Sequence, residues 1–335
     1  MKPYIIAELA QGYEGSAAQA ALLVKAALNA GADAVKLQLV YADDLATADY
    51  EHYRLFGTLE MPDEIWVELR GVARSGGIGF YLDVFGARSL ALAEQIGVDG
   101  VKVHSTDMAN AGLIAAIARS AVPQVLLSVG GCSMAEIDEA LSAIGGKEAV
   151  LLLGFQGYPT PIEANQVRRL GSLITRHGDR AKTRFGFADH ADPDEDLALM
   201  MPAAALGAGA TVFEKHLTLA QTLKLEDHES ALNPDQFARF SAALRACAVA
   251  LGEVREGDAF FGMHATEKVY REKTRKHVVA AGDLAAGGVI KAADVVLKRS
   301  TSRAPLFDAG AAIGRRLRHD IAAGQPLTAA DLEDA

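Results

Sequence analysis

YIIAELAQGYEGSAAQAALLVKAALNAGADAVKLQL, residues 4–39, holds the reading that decides the fold. Tyr4 to Glu8 is a short apolar, strand-like run; Ala17 to Asn29 is rich in the helix formers Ala and Leu; Ala34 to Leu39 is apolar again. Strand, helix and strand at this spacing call for a parallel sheet covered by helices. The rhythm continues with strand candidates Gly79 to Val84, Gly100 to His104, Gln124 to Ser128, Ala149 to Gly154, Arg184 to Asp189 and Thr211 to Lys215. Helical runs separate most of them: Pro62 to Ser75, Ala87 to Gln95, Ala109 to Arg119, Met134 to Ile144, Glu163 to His177 and Pro193 to Leu206, with Pro234 to Leu251 after the last strand. Eight strand and helix pairs in about 250 residues predict an α/β fold of the (β/α)8 TIM-barrel type. Local signals agree. Ser133 and Glu136 have the spacing of a capping box, Pro193 suits a first helical turn, and Gly31 and Gly207 stand where helix C-caps are expected.

Beyond the barrel the character changes. Glu253 to Lys276 is charged and irregular, and an internal repeat follows: DLAAGGVIKAADV from Asp283 and DIAAGQPLTAADL from Asp320, 37 positions apart with seven of thirteen residues identical. The expected division is a barrel over 1–255, a linker over 256–275 and a small pseudo-symmetric module over 276–335. So small a module is expected to pack against another surface.

Composition narrows the function classes. The chain has 335 residues, 50% hydrophobic and 23% charged, enough apolar surface for a real core without a folding partner. Forty-three acids against thirty-three bases leave a net charge of -10, the wrong sign for a nucleic-acid track. Two cysteines, Cys132 and Cys247, fit a reduced cytoplasm, and the N-terminus lacks a signal core. The longest uncharged stretch, Leu197 to Phe213, is interrupted by Pro202, Gly207 and Gly209 and falls short of the ~20 residues of a membrane span. The expectation is a cytoplasmic protein with no membrane and no nucleic-acid partner, in which that stretch forms a buried helix, turn and strand.

In a barrel of this kind, polar residues at the C-terminal ends of the strands converge on one mouth. Those ends supply Glu8, Lys36, Gln38, Asp83, Lys102, His104, Ser105, Asp107, Ser128, Gln156, Tyr158, Asp189, His190, Glu214, Lys215 and His216. His190 and His216, on neighbouring strands, are a candidate pair of imidazole ligands for one divalent cation. Lys36 and Lys102 sit inside apolar strands; each either meets a ligand phosphate or carboxylate, or pairs structurally with Glu8 or Glu214. Gly130 and Gly131 after Ser128 form a turn suited to an anionic oxygen, and the loop KLEDHESAL, Lys224 to Leu232, follows strand eight.

At these residues the chain resembles the sialic acid synthase family, the nonulosonate synthases that join phosphoenolpyruvate to an N-acyl hexosamine derivative. IAELAQGYEG from Ile6, GADAVKLQ from Gly31, VKVHSTDM from Val101, LLSVGG from Leu126, GYPTP from Gly157, GFADH from Gly186, FEKHLTL from Phe213 and DHESAL from Asp227 carry the resemblance. The tail, with LKR at Leu297, is similar to that family's antifreeze-like (SAF) module. The resemblance implies that His190 and His216 bind manganese, with magnesium or cobalt as alternatives. Lys36, Lys102 and Ser128 match phosphoenolpyruvate contacts, with Ser105 beside them. Glu8 matches an acidic residue near the reacting sugar oxygen, Asp227 a sugar-binding carboxylate and Gln38 a polar pocket residue, while Asp107, Gln156, Tyr158 and Asp189 complete the substrate-binding set. Arg299 matches an arginine that the module presents to a neighbouring subunit, which implies a domain-swapped homodimer.

The chain also departs from the family. GYEG, Gly12 to Gly15, stands where NHNG is usual, Ala188 replaces a serine, Asp107 a glutamate, Gln156 a shorter amide and Ser300 a proline. These changes mostly touch the sugar side. Two rival readings stand beside the synthase: a metal-free barrel aldolase that uses Lys36, Lys102 or Lys215 as an imine, and a non-catalytic sugar-acid binding protein.

Overall fold

Alternation along each apolar run sorts its side chains to two faces, and here both faces are covered. The computed structural model describes residues 2–155, 157–252, 257–302 and 304–334. Eight parallel strands, β1 (Tyr4–Ala10), β2 (Ala34–Leu39), β3 (Gly79–Val84), β4 (Gly100–Val103), β5 (Gln124–Ser128), β6 (Glu148–Leu153), β7 (Thr183–Asp189) and β8 (Val212–His216), pair in sequence order and close where β8 meets β1. The outward-facing residues, such as Val35, Leu37, Val101, Val125 and Leu127, join the core beneath the helices. The inward-facing ones form a separate cluster, Ile6, Ala34, Tyr81, Leu126, Val150, Leu152 and Val212, that plugs the barrel. Gly186 belongs to this interior: a Cβ there would lie 2.6 Å from Leu152 Cδ2 and 2.7 Å from the Val212 carbonyl. The fold class is the expected TIM barrel.

Helices Ala17–Asn29 and Pro234–Leu251 have the expected bounds. Ser133 caps Met134–Ala143, accepting from the Glu136 amide at 3.3 Å while Glu136 Oε2 accepts the Ser133 amide at 2.7 Å. Other boundaries move. The run expected over Glu163 to His177 splits into a 3-10 turn, Ile162–Ala164, and a helix, Arg169–His177, because Gln166 takes a left-handed conformation between them. Pro193 precedes its helix, which begins at Leu197, runs through Pro202 and includes Gly207; the left-handed residue is Gly209. Short helices Ala42–Leu45 and Tyr53–Leu59, absent from the sequence reading, lie between β2 and Asp63–Ser75. Among the described residues no helix is long and apolar enough to cross a membrane.

The chain divides into two compact units, Met1–Gly252 and Glu253–Ala335. The stretch expected as a linker carries a helix, Ala265–Thr274. The second unit holds two small sheets, β9 (His277–Ala280) with β10 (Val295–Lys298) and β11 (Arg316–Leu317) with β12 (Leu332–Glu333), around a core that includes Val278, Ile290, Leu317, Ile321 and Leu327. Its two repeats meet reciprocally. Leu284 and Ile321 exchange both backbone hydrogen bonds at 2.8 Å. Asp320 Oδ1 accepts the Ala286 amide at 2.7 Å, and Asp283 Oδ1 accepts the Ala323 amide at 2.8 Å.

Trp66, the sole tryptophan, is fully buried edge-on to Tyr13, so its fluorescence reports barrel unfolding. In urea titrations followed at Trp66, truncating the fully buried Leu127 to Ala is expected to cost about 2–5 kcal/mol. Leu251→Ala, at a 56% exposed position, is expected to stay within about 0.5 kcal/mol.

Candidate active site

The alternation that fills the lower barrel with apolar side chains puts ionisable ones in the next layer. Glu8 lies two residues beyond Ile6, Lys36 two beyond Ala34, Asp83 two beyond Tyr81 and Glu214 two beyond Val212, each on the inward face. Lys102 from β4 joins them. Lys36 Nζ donates to Asp83 Oδ1 at 2.6 Å, lies 3.7 Å from Glu214 Oε2 and contacts Glu8 Oε2. Lys102 Nζ donates to Glu214 Oε1 at 2.7 Å and lies 3.8 Å from both Glu8 Oε2 and Asp83 Oδ2. Both lysines face the barrel interior, and the distances show the structural pairing with Glu8 and Glu214, with Asp83 added.

Burial alone would discharge the two amines, but Asp83, Glu214 and Glu8 overturn that and hold both above the ordinary lysine range. Burial, helped by the Glu214 and Asp83 charges, pushes the Glu8 carboxyl up against the pull of Lys36. Burial acts on Glu214 too, but Lys102 and Lys36 dominate and pull it down. Glu8 is further fixed by its own strand. Register shifts between Glu8 and Ala10, Ala10 takes a φ of 45°, and its amide donates to Glu8 Oε1 at 2.8 Å. Bulges of this kind re-aim side chains next to sites.

Above this layer, His190 and His216 come together with ring centroids 5.3 Å apart, and the Tyr158 ring covers both at 4.6 and 5.6 Å. His190 Nδ1 donates to the Phe155 carbonyl at 2.7 Å, so its proton is on Nδ1 and Nε2 keeps a lone pair. Its backbone carbonyl accepts from Ser230 Oγ at 2.9 Å and from the Thr160 amide at 2.8 Å, which fixes the strand end. Burial lowers His190 to about 3, and burial with the nearby His190 and lysine charges holds His216 well below the usual imidazole range. Two neutral imidazoles with an open lone pair suit a divalent cation. Among the described residues no third His, Cys, Asp or Glu joins them to complete a ligand group. Asp227, in the loop after β8, has Oδ2 4.0 Å from His216 Nδ1, and burial with Glu226 and Glu229 raises it to about 6.

The remaining expected residues divide. Ser128 is buried at the end of β5, while Ser105 and Asp107 occupy the half-buried 3-10 turn after β4, where Asp107 Oδ1 accepts from Asn110 Nδ2 at 3.1 Å. Gln38 Oε1 accepts from Gln11 Nε2 at 2.7 Å. Gly15 of the GYEG turn has a φ of 74°, and a Cβ there would collide with the Thr58 carbonyl. Gln156 lies outside the described residues. Arg299 belongs to the second unit, where its Nε donates to the Thr274 carbonyl at 3.2 Å.

Asp189 is a correction. It pairs in register with Lys215, on the face opposite Ala188 and Glu214, and its Oδ2 accepts from Lys215 Nζ at 2.9 Å while Oδ1 accepts the Ala191 amide at 3.2 Å. The pleat turns His190 and Asp189 to opposite sides, so the aspartate serves the sheet and not the mouth. Asp83 is the residue the sequence reading passed over. It stood among the strand-end residues without a role, although two inward lysines demand counter-charges.

Comparison with known proteins places the chain in a family. The NeuB family matches residues 23–256 and the SAF domain residues 275–333. N,N'-diacetyllegionaminic acid synthase of Legionella pneumophila is 27% identical over 350 residues, covering 98% of this chain and 94% of the relative. A crystal structure of a putative spore coat polysaccharide biosynthesis protein E from Chromobacterium violaceum superposes with a TM-score of 0.81 at 27% identity, covering 99% of this chain and 100% of that one. The N-acetylneuraminic acid synthetase of Leptospira borgpetersenii, crystallised with citrate, gives 0.73 at 25% identity over 82% of this chain and 93% of its own.

The outward pair is separable from the mouth by experiment. Lys215→Ala leaves the buried Asp189 charge without its partner and is expected to cost about 3–5 kcal/mol. Measured by thermal and urea unfolding, it should destabilise the barrel without weakening ligand binding in protein that remains folded.

A closed barrel carrying this inward ionic layer, matched over most of its length and followed by a SAF domain, identifies the chain as a member of the NeuB family, an enzyme of the nonulosonate synthase type.

Proposed function

We propose that the barrel condenses phosphoenolpyruvate with the aldehyde of an N-acyl hexosamine-type sugar, giving a nonulosonic acid and inorganic phosphate. The observation that carries this reading is the stacking of two buried ammonium groups beneath two neutral imidazoles at one mouth. The amines supply the anion site and the imidazoles the donor pair for a divalent cation. When bound, that cation supplies Lewis acidity to the acceptor's carbonyl oxygen.

The chain's own residues do the rest. Lys36 and Lys102, with Ser128 and Ser105 at adjoining strand ends, hold the phosphate and carboxylate of phosphoenolpyruvate. Its methylene carbon forms the new bond to the aldehyde carbon, and the aldehyde oxygen takes a proton. Glu8 is the group placed to give it, since burial keeps that carboxyl protonated and the Ala10 amide fixes its orientation. Water then adds at the carbon bearing phosphate and returns one proton to Glu8; the bond from that carbon to the phosphate oxygen breaks, the second proton leaves with phosphate, and the 2-keto acid remains. The Tyr158 ring screens the imidazoles from bulk water, and Asp227 faces the sugar hydroxyls.

The imine alternative fits the charges less well. A Schiff-base lysine must be a free amine, whereas the Asp83 and Glu214 carboxylates hold Lys36 and Lys102 in their cationic forms, and Lys215 lies on the helix side. The diacetylated product named for the Legionella relative puts a 2,4-diacetamido sugar first among acceptors to assay, ahead of N-acetylmannosamine and phosphorylated hexosamines.

Phosphate release from phosphoenolpyruvate with manganese, across those sugars, is the direct test. Release is expected to stop with chelator and return with manganese. Lys102→Ala removes a charged hydrogen-bond donor worth about 1.5–3 kcal/mol and should raise the KM for phosphoenolpyruvate roughly tenfold to a hundredfold. Chelator-insensitive turnover, with borohydride fixing substrate carbon to Lys36 or Lys102, would replace this reading with the imine one.

A further inference from the structure

The ionic layer inside the barrel is not fully satisfied. Three carboxyl groups, Glu8, Asp83 and Glu214, face two ammonium groups, and all five side chains are buried. With Glu8 protonated, Glu214 and Asp83 carry the countercharge: Glu214 Oε1 accepts from Lys102 at 2.7 Å and Asp83 Oδ1 from Lys36 at 2.6 Å. Glu214 Oε2 lies 3.7 Å from Lys36 Nζ and Asp83 Oδ2 lies 3.8 Å from Lys102 Nζ, both fully buried and without a hydrogen-bond donor among the described residues. A carboxylate oxygen left unpaired at 0% exposure is costly, and groups that persist at such a cost concentrate at sites.

We propose that Asp83 sets the anion affinity of the mouth, as a built-in competitor that occupies the same ammonium groups a ligand's phosphate or carboxylate would take. An incoming anion must share Lys36 with Asp83 and bear the repulsion of its charge; a departing phosphate is released more readily for the same reason. Asp83 is thus a specificity-determining residue, one that favours turnover over tight anion binding. The assignment rests on the phosphoenolpyruvate reading for its natural ligand, but the competition holds for any small oxyanion at these two lysines.

The test uses the full-length protein and two variants, Asp83→Asn, which keeps the shape and removes the charge, and Asp83→Ser, which also removes bulk. Each is titrated calorimetrically with inorganic phosphate and with phosphoenolpyruvate, and thermal unfolding identifies folded protein. The expected result is tighter binding of both anions by about tenfold, a modest effect for removal of a like charge at about 4 Å. The KM for phosphoenolpyruvate should fall in parallel, with that for the acceptor sugar unchanged. Unchanged or weaker phosphate binding in a folded variant would overturn the proposal and leave Asp83 as a structural partner of Lys36. Should Asp83→Asn fail to fold, Asp83→Ser decides by the same criterion. A wild-type protein that releases no phosphate from phosphoenolpyruvate with any acceptor would sink the synthase reading alone, because the inorganic phosphate titrations still decide the role of Asp83.

Discussion

Two ammonium groups held inside a closed barrel impose the constraint on which the rest of the site depends. Removing an ion of this size from water costs several kcal/mol even after the protein relaxes, so each must be met by opposite charge at short range. Closure of the barrel makes that feasible. Strands remote in sequence bring Glu8, Asp83 and Glu214 to the same two amines, at separations no open sheet edge would hold. The apolar plug below them, Ile6, Ala34, Leu126, Val150 and Val212, keeps the layer dry from the other end. Electrostatic interactions in such surroundings are far stronger than in water, which suits charge development but raises the cost of any unpaired group.

Much of this was readable in the chain itself. Apolar runs of four to seven residues, separated by Ala- and Leu-rich stretches, located all eight strands and the helices that bury a strong stripe. The pairing of His190 with His216 followed from two strand ends that the order of a barrel makes neighbours. What escaped did so for identifiable reasons. Asp189 and His190 are adjacent in sequence, and only the pleat, counted from Gly186, separates their faces. The role of Asp83 depends on distances across the pore, which no local signal carries. The helices Ala42–Leu45 and Tyr53–Leu59 are too short for a clear period, and Gln166 breaks a helical run through a backbone conformation that its side chain does not announce.

One departure from the family's usual residues, GYEG, lies in the loop after β1. GYEG forms a tight turn whose last glycine is wedged against the Thr58 carbonyl, so the loop after β1 is committed to its own geometry. The layer of amines and imidazoles beneath is complete without it. On the proposed reading, the chemistry belongs to strand ends locked by register and acceptor selection to the loops around them.

The second unit makes a separate point. Its two repeats each contribute an aspartate, Asp283 and Asp320, whose side chain closes the turn of the other copy and not its own. Half of the unit is therefore structurally incomplete, with an amide left bare and an acceptor idle. Such a peptide becomes whole only on meeting its duplicate. This geometry is what a short self-associating segment would bequeath to a longer chain once its coding sequence doubled and the two halves became permanently tethered.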